Sequence, residues 1–566
     1  PEMEDFVRRS IADASENADS IKQATSFSSY LLNVANCSLA TNCASLHRKD
    51  CLSTAHTCGV CESLEYVGEE GDSNTPCVAK TDPADARRLF QLLPAFSTEE
   101  KPCRASCSGH GECVHVLSDS GELITGNMAP CSVGRDDCSA VCDCDEAYFG
   151  SDICEFTTEE FTRRQRSRSE VVSGLQTLIG LEDADEQVIG SWVNSLAMAS
   201  QSSSELSDTS ALTVLSLVDG ITNAAASLTL PAEVLSGLLS AVNAVASAGS
   251  QGAIRRRLRA ERRGLSTKAE VTSVGAGVTG GVLSNFGALI AHSMLPGQDA
   301  VNYTQAEFRL SVKVLSQSSA ADEGEVMKVP QTALEEFMGK PASHVTVPTS
   351  NLSTADLTSV VVTSQKSAQF SVLEEPLQSN AVTLTTTAQL CATAPCTVEV
   401  TLQNSQAIDF ANLNGDVSMK TQEEFHSIVC VVDEHSSTTV ACSSGTEMEI
   451  QCSGVAGTVT KQCPVTRYSS ACNSLSTASA AGDSVLSGAA SGCSVVSYTD
   501  TEVVCRCDVG VGEIARRSLA SAVGYNFSSP TGYSVSYVSM LHATTDTFIS
   551  TIATADDLNA ATVASG

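Results

Sequence analysis

The residues best able to do covalent chemistry in this chain are its 24 cysteines. They fall in two blocks, Cys37 to Cys154 and Cys391 to Cys507, with none between. Thiols at that density serve redox exchange, zinc ligation or structural cross-linking. A redox reading rests on Thr57-Cys58-Gly59-Val60-Cys61. No βαβ pattern surrounds this step, so a structural disulfide is the better reading. A zinc reading rests on His110, Glu112 and His115. His110 lies in a tight Gly-His-Gly turn and no fourth ligand is evident, so it reads as a turn histidine. Cross-linking remains, and it implies a secreted or cell-surface compartment.

Other motifs lead away from catalysis. Gly275-Ala276-Gly277-Val278-Thr279-Gly280 spells a dinucleotide fingerprint, with Asp299 about twenty residues later, but Pro296-Gly297 breaks the second strand it needs. A glycine-rich helix or loop is expected there. No Gly-x-Ser-x-Gly elbow and no His-Glu-x-x-His helix is present. The paired acids Glu335-Glu336 and Glu423-Glu424 read as solvated, and no cofactor is expected. Two basic clusters, Arg163 to Arg168 and Arg255 to Arg259, each contain Arg-x-x-Arg. They read as solvated loops offsetting acid, as convertase sites, or as patches that meet an acidic surface on another subunit. Four sequons permit N-glycans, at Asn36, Asn302, Asn351 and Asn526, and the Ser/Thr-rich composition admits O-glycans.

A chain of 566 residues folds as roughly three to five units. A net charge of −33 excludes nucleic acid and disfavours anionic lipid, because both need a basic face. The opening Pro1-Glu2-Met3-Glu4-Asp5 has no signal-peptide character, so a processed or truncated start is expected. The most apolar long window, Val274 to Leu295, is broken by glycines, so no direct membrane insertion is expected in this fragment.

The elements that must carry these residues follow in order. Residues 1–35 read as a helical arm, reaching to a neighbour or packed on its own chain. A cysteine-rich module spans 36–80, where disulfides must substitute for a core. A helical linker, 81–101, runs Ala84 to Leu93 and ends at Pro94. A second cysteine module covers 102–156. Residues 157–295 are cysteine-free with apolar residues at helical spacing, as in Val171, Val172, Leu175 and Leu178. From 296 to 510 the pattern changes to alternating β-branched strands, which predicts an antiparallel β-sandwich. Its cysteines suggest short-range bonds Cys391–Cys396, Cys430–Cys442 and Cys452–Cys463. At its end Cys505 and Cys507 share a strand face, with Cys472 and Cys493 as candidate partners. The tail, 511–566, holds Tyr533, Val535 and Tyr537 on alternate residues. That strand either completes the sandwich in its own chain or is donated to the next subunit.

Several of these stretches resemble known extracellular families. Cys103-x3-Cys107-Ser108-Gly109-His110-Gly111-Glu112-Cys113, then Cys142-Asp143-Cys144, Tyr148-Phe149-Gly150 and Cys154, resembles an EGF-like module. The resemblance implies the pairs Cys103–Cys113, Cys107–Cys142 and Cys144–Cys154, with Cys131 and Cys138 of the long insertion closing on each other. The calcium signature of such modules is replaced by Lys101-Pro102. The Cys-Gly-x-Cys step resembles the plexin-semaphorin-integrin knot. Cys472, Cys493, Cys505 and Cys507, with Gly492, resemble the terminal cysteine box of the GAIN/GPS region of polycystins, egg-jelly-receptor-type proteins and adhesion receptors. The helices before the sandwich resemble the helical half of that region. The family's tryptophans are absent from the box, and Asp508-Val509-Gly510 stands where the self-cleaving triplet belongs, which implies a retained fold without autoproteolysis.

Together the resemblances imply a non-enzymatic extracellular glycoprotein, similar to protist surface-fibre proteins of the mastigoneme type. The expectation is a self-associating subunit of a cell-surface filament or flagellar hair, linked by its terminal arms. The alternative is the ectodomain of a polycystin-like or adhesion-type receptor.

Overall fold

The computed structural model describes residues 2–14, 17–80, 100–126, 128–262, 276–315, 324–348, 358–370, 377–387, 390, 396–413, 424–442, 447–463, 465–477, 484–487, 493–508, 533–546 and 549–553. The expected linker helix, Asn351, Asn526 and Cys391 lie outside these residues. Two compact units are present. The first comprises Pro1–Ser405, Cys472–Ser497 and Glu502–Ser539; the second comprises Gln406–Ala471, Tyr498–Thr501 and Met540–Gly566.

The predicted arm is two helices, α1 (Glu2–Asp13) and α2 (Ala18–Leu32), the second capped by the Asn17 side chain. Of the two readings, packing on its own chain is the one observed. Val7, Ile11, Ile21 and Leu32 are buried in the same core as the long helix α3 (Thr158–Leu181). The first cysteine module has one short ladder, β1 (Tyr66–Val67) with β2 (Val78–Ala79). Its bonds are Cys37–Cys51, Cys43–Cys58 and Cys61–Cys77, so Cys58 and Cys61 do not form a redox pair. The second module is built on the hairpin of β3 (Gly111–Leu117) and β4 (Cys138–Cys144). Before it, Ala105, Ser106, Cys107 and Ser108 take φ from 47° to 55°, a left-handed turn. Each such non-glycine residue costs about 1–2 kcal/mol, so the turn depends on the bonds at Cys103 and Cys107. Gly111 is required because a Cβ there would lie 2.7 Å from the Asp143 carbonyl and 2.8 Å from Cys154 Sγ.

After α3 come α4 (Glu186–Ser200), α5 (Asp208–Ala224), α6 (Ala232–Arg262) and α7 (Ala276–His292). Capping residues set their starts: Thr157 with Glu160 for α3, Asp185 for α4 and Ser207 for α5. Residues Ala232–Arg259 of α6, rather than the 274–295 window, are long and apolar enough to cross a membrane. In this fold Leu238, Leu239, Val242 and Val245 of α6 are buried in the helical core. Of the dinucleotide-like glycines, Gly277 and Gly280 belong to α7, which lies against the sandwich, and Gly275 lies outside the described residues.

The sandwich strands begin with β5 (Val301–Thr304), β6 (Phe308–Leu315), β7 (Glu325–Lys328), β8 (His344–Val347), β9 (Thr358–Gln365), β10 (Ala381–Thr386) and β11 (Thr397–Gln403). Next come β12 (Phe425–Cys430), β13 (Ser437–Ala441), β14 (Glu447–Gln451) and β15 (Gly457–Gln462). The chain ends on β16 (Val465–Thr477), β17 (Ser484–Ser487), β18 (Cys493–Tyr498), β19 (Glu502–Asp508), β20 (Tyr533–Asp546) and β21 (Ile549–Ala553). One sheet has the order β17-β16-β20-β10-β9-β6-β5 and the other β18-β19-β11-β8-β7. Val360, Val362, Val382, Leu384 and Tyr537 of the first sheet share a core with Val345, Val398, Val400, Val503 and Cys505 of the second. The opposite face of the first sheet is covered by α7. Phe286, Val282 and Leu283 bury with Leu310, Val312 and Val361, so the helices and the sandwich form one hydrophobic body.

The expected continuous sandwich over 296–510 is interrupted. In the second unit the sheet β12-β15-β21 and the hairpin β13–β14 make two small layers around Met448, Ile450 and Val459. They are joined by Cys430–Cys452 and Cys442–Cys463, which replace the predicted Cys430–Cys442 and Cys452–Cys463. Neighbours in sequence do not pair here, because each bond runs from the sheet to the hairpin folded over it.

Two glycines test the helix–sheet contact. A Cβ at Gly287 would lie 2.5 Å from Val361 Cγ1, whereas one at Gly220 meets nothing within 4 Å. Gly220→Ala should raise the urea midpoint, by the equivalent of about 0.5–1 kcal/mol. Gly287→Ala should lower it by about 1–3 kcal/mol despite the same gain in helix propensity.

Candidate functional site

The cysteines singled out in the second module pair as Cys103–Cys113, Cys107–Cys142, Cys131–Cys138 and Cys144–Cys154. His110 stacks flat on Tyr148 with ring centres 3.8 Å apart. His115 Nε2 is 2.9 Å from the Lys101 carbonyl oxygen. Glu112 and His115 fall on opposite faces of β3, so the three do not converge on a metal. Among the described residues, the close groups with three metal-capable side chains are Cys103, Cys107 and Cys142, and Glu424, His426 and Cys463. Their cysteines are all in disulfides, which leaves no thiolate to ligate.

In the terminal box, Cys505 and Cys507 sit on the buried face of β19. Cys505 bonds Cys472 on β16, across to the other sheet, and Cys507 bonds Cys493 on the neighbouring β18. One strand is thus cross-linked in two directions. The tail strand containing Tyr533, Val535 and Tyr537 is housed in its own chain. It lies between β16 and β10, with Val382 opposite Tyr537 and Leu384 opposite Val535. On its other face the Ser536 and Ser534 hydroxyls lie 2.7 and 3.0 Å from those of Thr383 and Thr385. A strand buried mid-sheet is not free to be the linking arm. Of the sequons, Asn36 and Asn302 are exposed, the latter on the edge strand β5.

Neither basic cluster is a loop. Arg164 and Arg168 lie one helical turn apart on α3. Arg168 is fully buried and donates to Glu205 Oε2 at 2.8 and 3.0 Å, to the Ala199 carbonyl at 2.9 Å and to Asn33 Oδ1 at 3.1 Å. Arg164 donates to Glu205 Oε1 and to the Leu32 carbonyl. The end of the N-terminal hairpin is therefore locked to α3, to the end of α4 and to the segment before α5. Burial pushes the Arg168 guanidinium below its ordinary value, and the Glu205 carboxylate opposes that. The second cluster grips the second cysteine module. Arg255 reaches the Gly150 carbonyl and Asp152, Arg257 the Gly121 carbonyl, and Arg259 lies 4.7 Å over the Phe149 ring. The acidic patch that it meets belongs to the same chain.

Sequence reasoning overlooked the polar hubs of the cysteine modules. Buried Arg48 donates to the carbonyls of Thr75, Gly59, Gly71 and Glu69, holding a loop together as a bound cation would. Buried Lys101 donates to Glu69 and to the Cys138 carbonyl at 2.8 Å, joining the two modules. The available signal for Arg168 was its spacing: Arg168, Val171, Val172 and Leu175 lie on one helical face.

With most described arginines engaged internally, the conspicuous unengaged feature is apolar. Phe6, Phe27, Tyr30 and Val34 are exposed on the N-terminal hairpin and the residues just after it, Tyr30 by 62% and Val34 by 65%. Positions 27, 30 and 34 follow helical spacing, and Phe6 meets Phe27 edge-on at 5.7 Å. Burial alone would raise the Glu69 carboxyl, but Lys101, Ser73 and Thr75 hold it below the ordinary range. Glu335 and Asp137 are likewise lowered against burial, by Arg309 and Arg135. A scan against protein-family models and a search of curated proteins find no match for this chain.

Arg168→Met leaves buried Glu205 with Arg164 as its remaining cationic partner and takes the donor from the Ala199 carbonyl and Asn33, and should destabilise the first unit by about 2–3 kcal/mol in chemical denaturation. Exchanging Arg164, Arg168 and Glu205 together for apolar residues of similar volume should cost far less per group removed. Carboxyls lowered in the folded state stabilise it above their unfolded pKa and lose that stabilisation as pH falls through the folded value. The melting temperature should therefore hold from neutral pH down to the ordinary carboxylate range and fall steeply below it. In Lys101→Met burial of Glu69 is uncompensated, so the difference from wild type should be greatest at neutral pH and shrink on acidification.

Proposed function

We propose that this protein is a non-enzymatic extracellular structural glycoprotein, a subunit of a cell-surface filament or flagellar hair. The density of disulfides suggests an extracellular or secreted setting. The observation that carries the reading is the N-terminal hairpin. Its inner face is locked to the body by Arg168, and its outer face presents Phe6, Phe27, Tyr30 and Val34 to solvent. A rigidly held terminal element with an unpartnered aromatic stripe suits a contact between subunits. The linking role expected of the tail strand passes to this hairpin. Exposed Asn36 and Asn302 suit N-glycans, and a glycan at Asn302 would guard the β5 edge against unwanted pairing.

A receptor ectodomain of the polycystin or adhesion type is the second reading. It is favoured by the order of elements: a helical half sharing its core with a sandwich whose late strand β19 is cross-linked twice. A GAIN-like identity for helices and sandwich, and EGF-like and plexin-semaphorin-integrin-like identities for the cysteine modules, belong to these proposals.

Negative-stain electron microscopy of the native protein without reductant separates the two. The filament reading expects regular fibres with a repeat near one molecule's length. Because the net charge is −33, fibre formation should strengthen as salt screens repulsion between subunits. Phe27→Asp with Tyr30→Asp should shorten or abolish the fibres. Single particles at every concentration and salt would favour the receptor ectodomain.

A further inference from the structure

We infer that the β12 edge of the second unit pairs with the β12 edge of a second copy of this chain, an inference that rests on the structural-subunit reading above. In the sheet order β12-β15-β21, β12 is an edge. Its register with β15 places Glu424 opposite Cys463, whose N–H donates to the Glu424 carbonyl at 2.9 Å. Backbone groups of an antiparallel strand alternate in direction. Those of His426 and Ile428 therefore turn towards β15, as Glu424's does, and those of Ser427 and Val429 turn to the open side. The Val431 N–H of the same parity is taken by Glu434, at 3.0 Å, which marks where the open edge ends.

The side chains on this edge are unusual for such a chain. Phe425-His426-Ser427-Ile428-Val429-Cys430-Val431-Val432 contains no Asp, Glu, Lys or Arg and no proline, in a protein of net charge −33. Val429 is 75% exposed, Val431 61% and Val432 63%. Native sheets guard such edges with charges, prolines or bulges. Edge β5 carries the Asn302 sequon, and edge β7 carries Glu325 and Lys328. Edge β12 carries no such guard. Its neutrality also favours a second copy as the occupant: across 425–431 acid does not oppose acid, as it does over much of a surface of net charge −33.

The geometry is self-complementary about a two-fold axis at Ile428. Ser427 of one copy faces Val429 of the other, and each pair exchanges N–H and C=O bonds on the open side. Phe425 then stands opposite Val431 on the same exposed face. The two three-stranded sheets become one continuous sheet. Such a contact is isologous and closes a dimer, so it joins copies in pairs while a different surface continues a fibre.

Sedimentation velocity over a concentration series tests this, with Val429→Lys and Val496→Lys as variants. Val496 is exposed on β18, the neutral edge of the larger sandwich, and serves as the control. The expected result is a wild-type dimer weakened on the order of a hundredfold by Val429→Lys and unchanged by Val496→Lys, with far-UV circular dichroism unaltered in both. Wild-type association that survives Val429→Lys, or that only Val496→Lys removes, overturns the β12 contact and leaves the subunit reading standing. A wild type that is monomeric throughout, and forms no fibres, overturns both.

Discussion

Arg168 has no access to solvent and is surrounded by oxygen: two contacts to Glu205, the Ala199 carbonyl and Asn33. Burying a guanidinium costs several kcal/mol unless charge and hydrogen bonds both compensate it. The helical body is arranged so that they do. The last turn of α4, the segment carrying Glu205 and the residue after α2 all converge on one side chain of α3. If that convergence fails, the hairpin loses its anchor and a charge is stranded in the core. The hairpin's orientation, and hence its outward stripe, depends on this one site.

The same device recurs at other joints. Arg48 organises the first cysteine module through four carbonyls, Lys101 joins that module to the second, and Arg255 to Arg259 fasten the second to α6. In a chain with 33 basic and 66 acidic residues, placing cations inside has an external consequence. The surface is left more acidic than the net charge alone implies, so contacts between copies need either screening or neutral patches. The exposed stripe of the hairpin and the edge of β12 are patches of that kind.

Covalent and non-covalent cross-links divide the work by size. The small modules and the second unit have too little apolar area for a core, and disulfides restrict their unfolded chains instead. The large sandwich has an ample core of valines, yet it too is cross-linked at β19. Cys472–Cys505 ties the two sheets, and Cys493–Cys507 ties β19 to its edge neighbour. Strand β20 is held differently, by Tyr537 in the core and a ladder of Ser–Thr hydroxyl contacts along β10 on its other face.

Local chemistry was legible in the sequence wherever the partners lie close along the chain or the period is regular. Cysteine density determined a cross-linked protein, helical spacing over 157–295 determined the helices, and β-branched alternation determined strands β6, β9, β10 and β11. Gly-His-Gly marked a turn because only glycine fits beside Asp143 and Cys154. What tertiary structure alone decided involves distant partners. Cys430 and Cys452 meet because a hairpin folds over a sheet, and no spacing rule encodes that fold-back. Arginine clusters that look solvated became hubs because Glu205, Asn33 and Gly150 arrive from other segments. The tail strand's place was equally undetermined, since its alternation suits any open slot. The gap between β10 and β16 took it because both sheet neighbours and the core beneath it lie within its own chain.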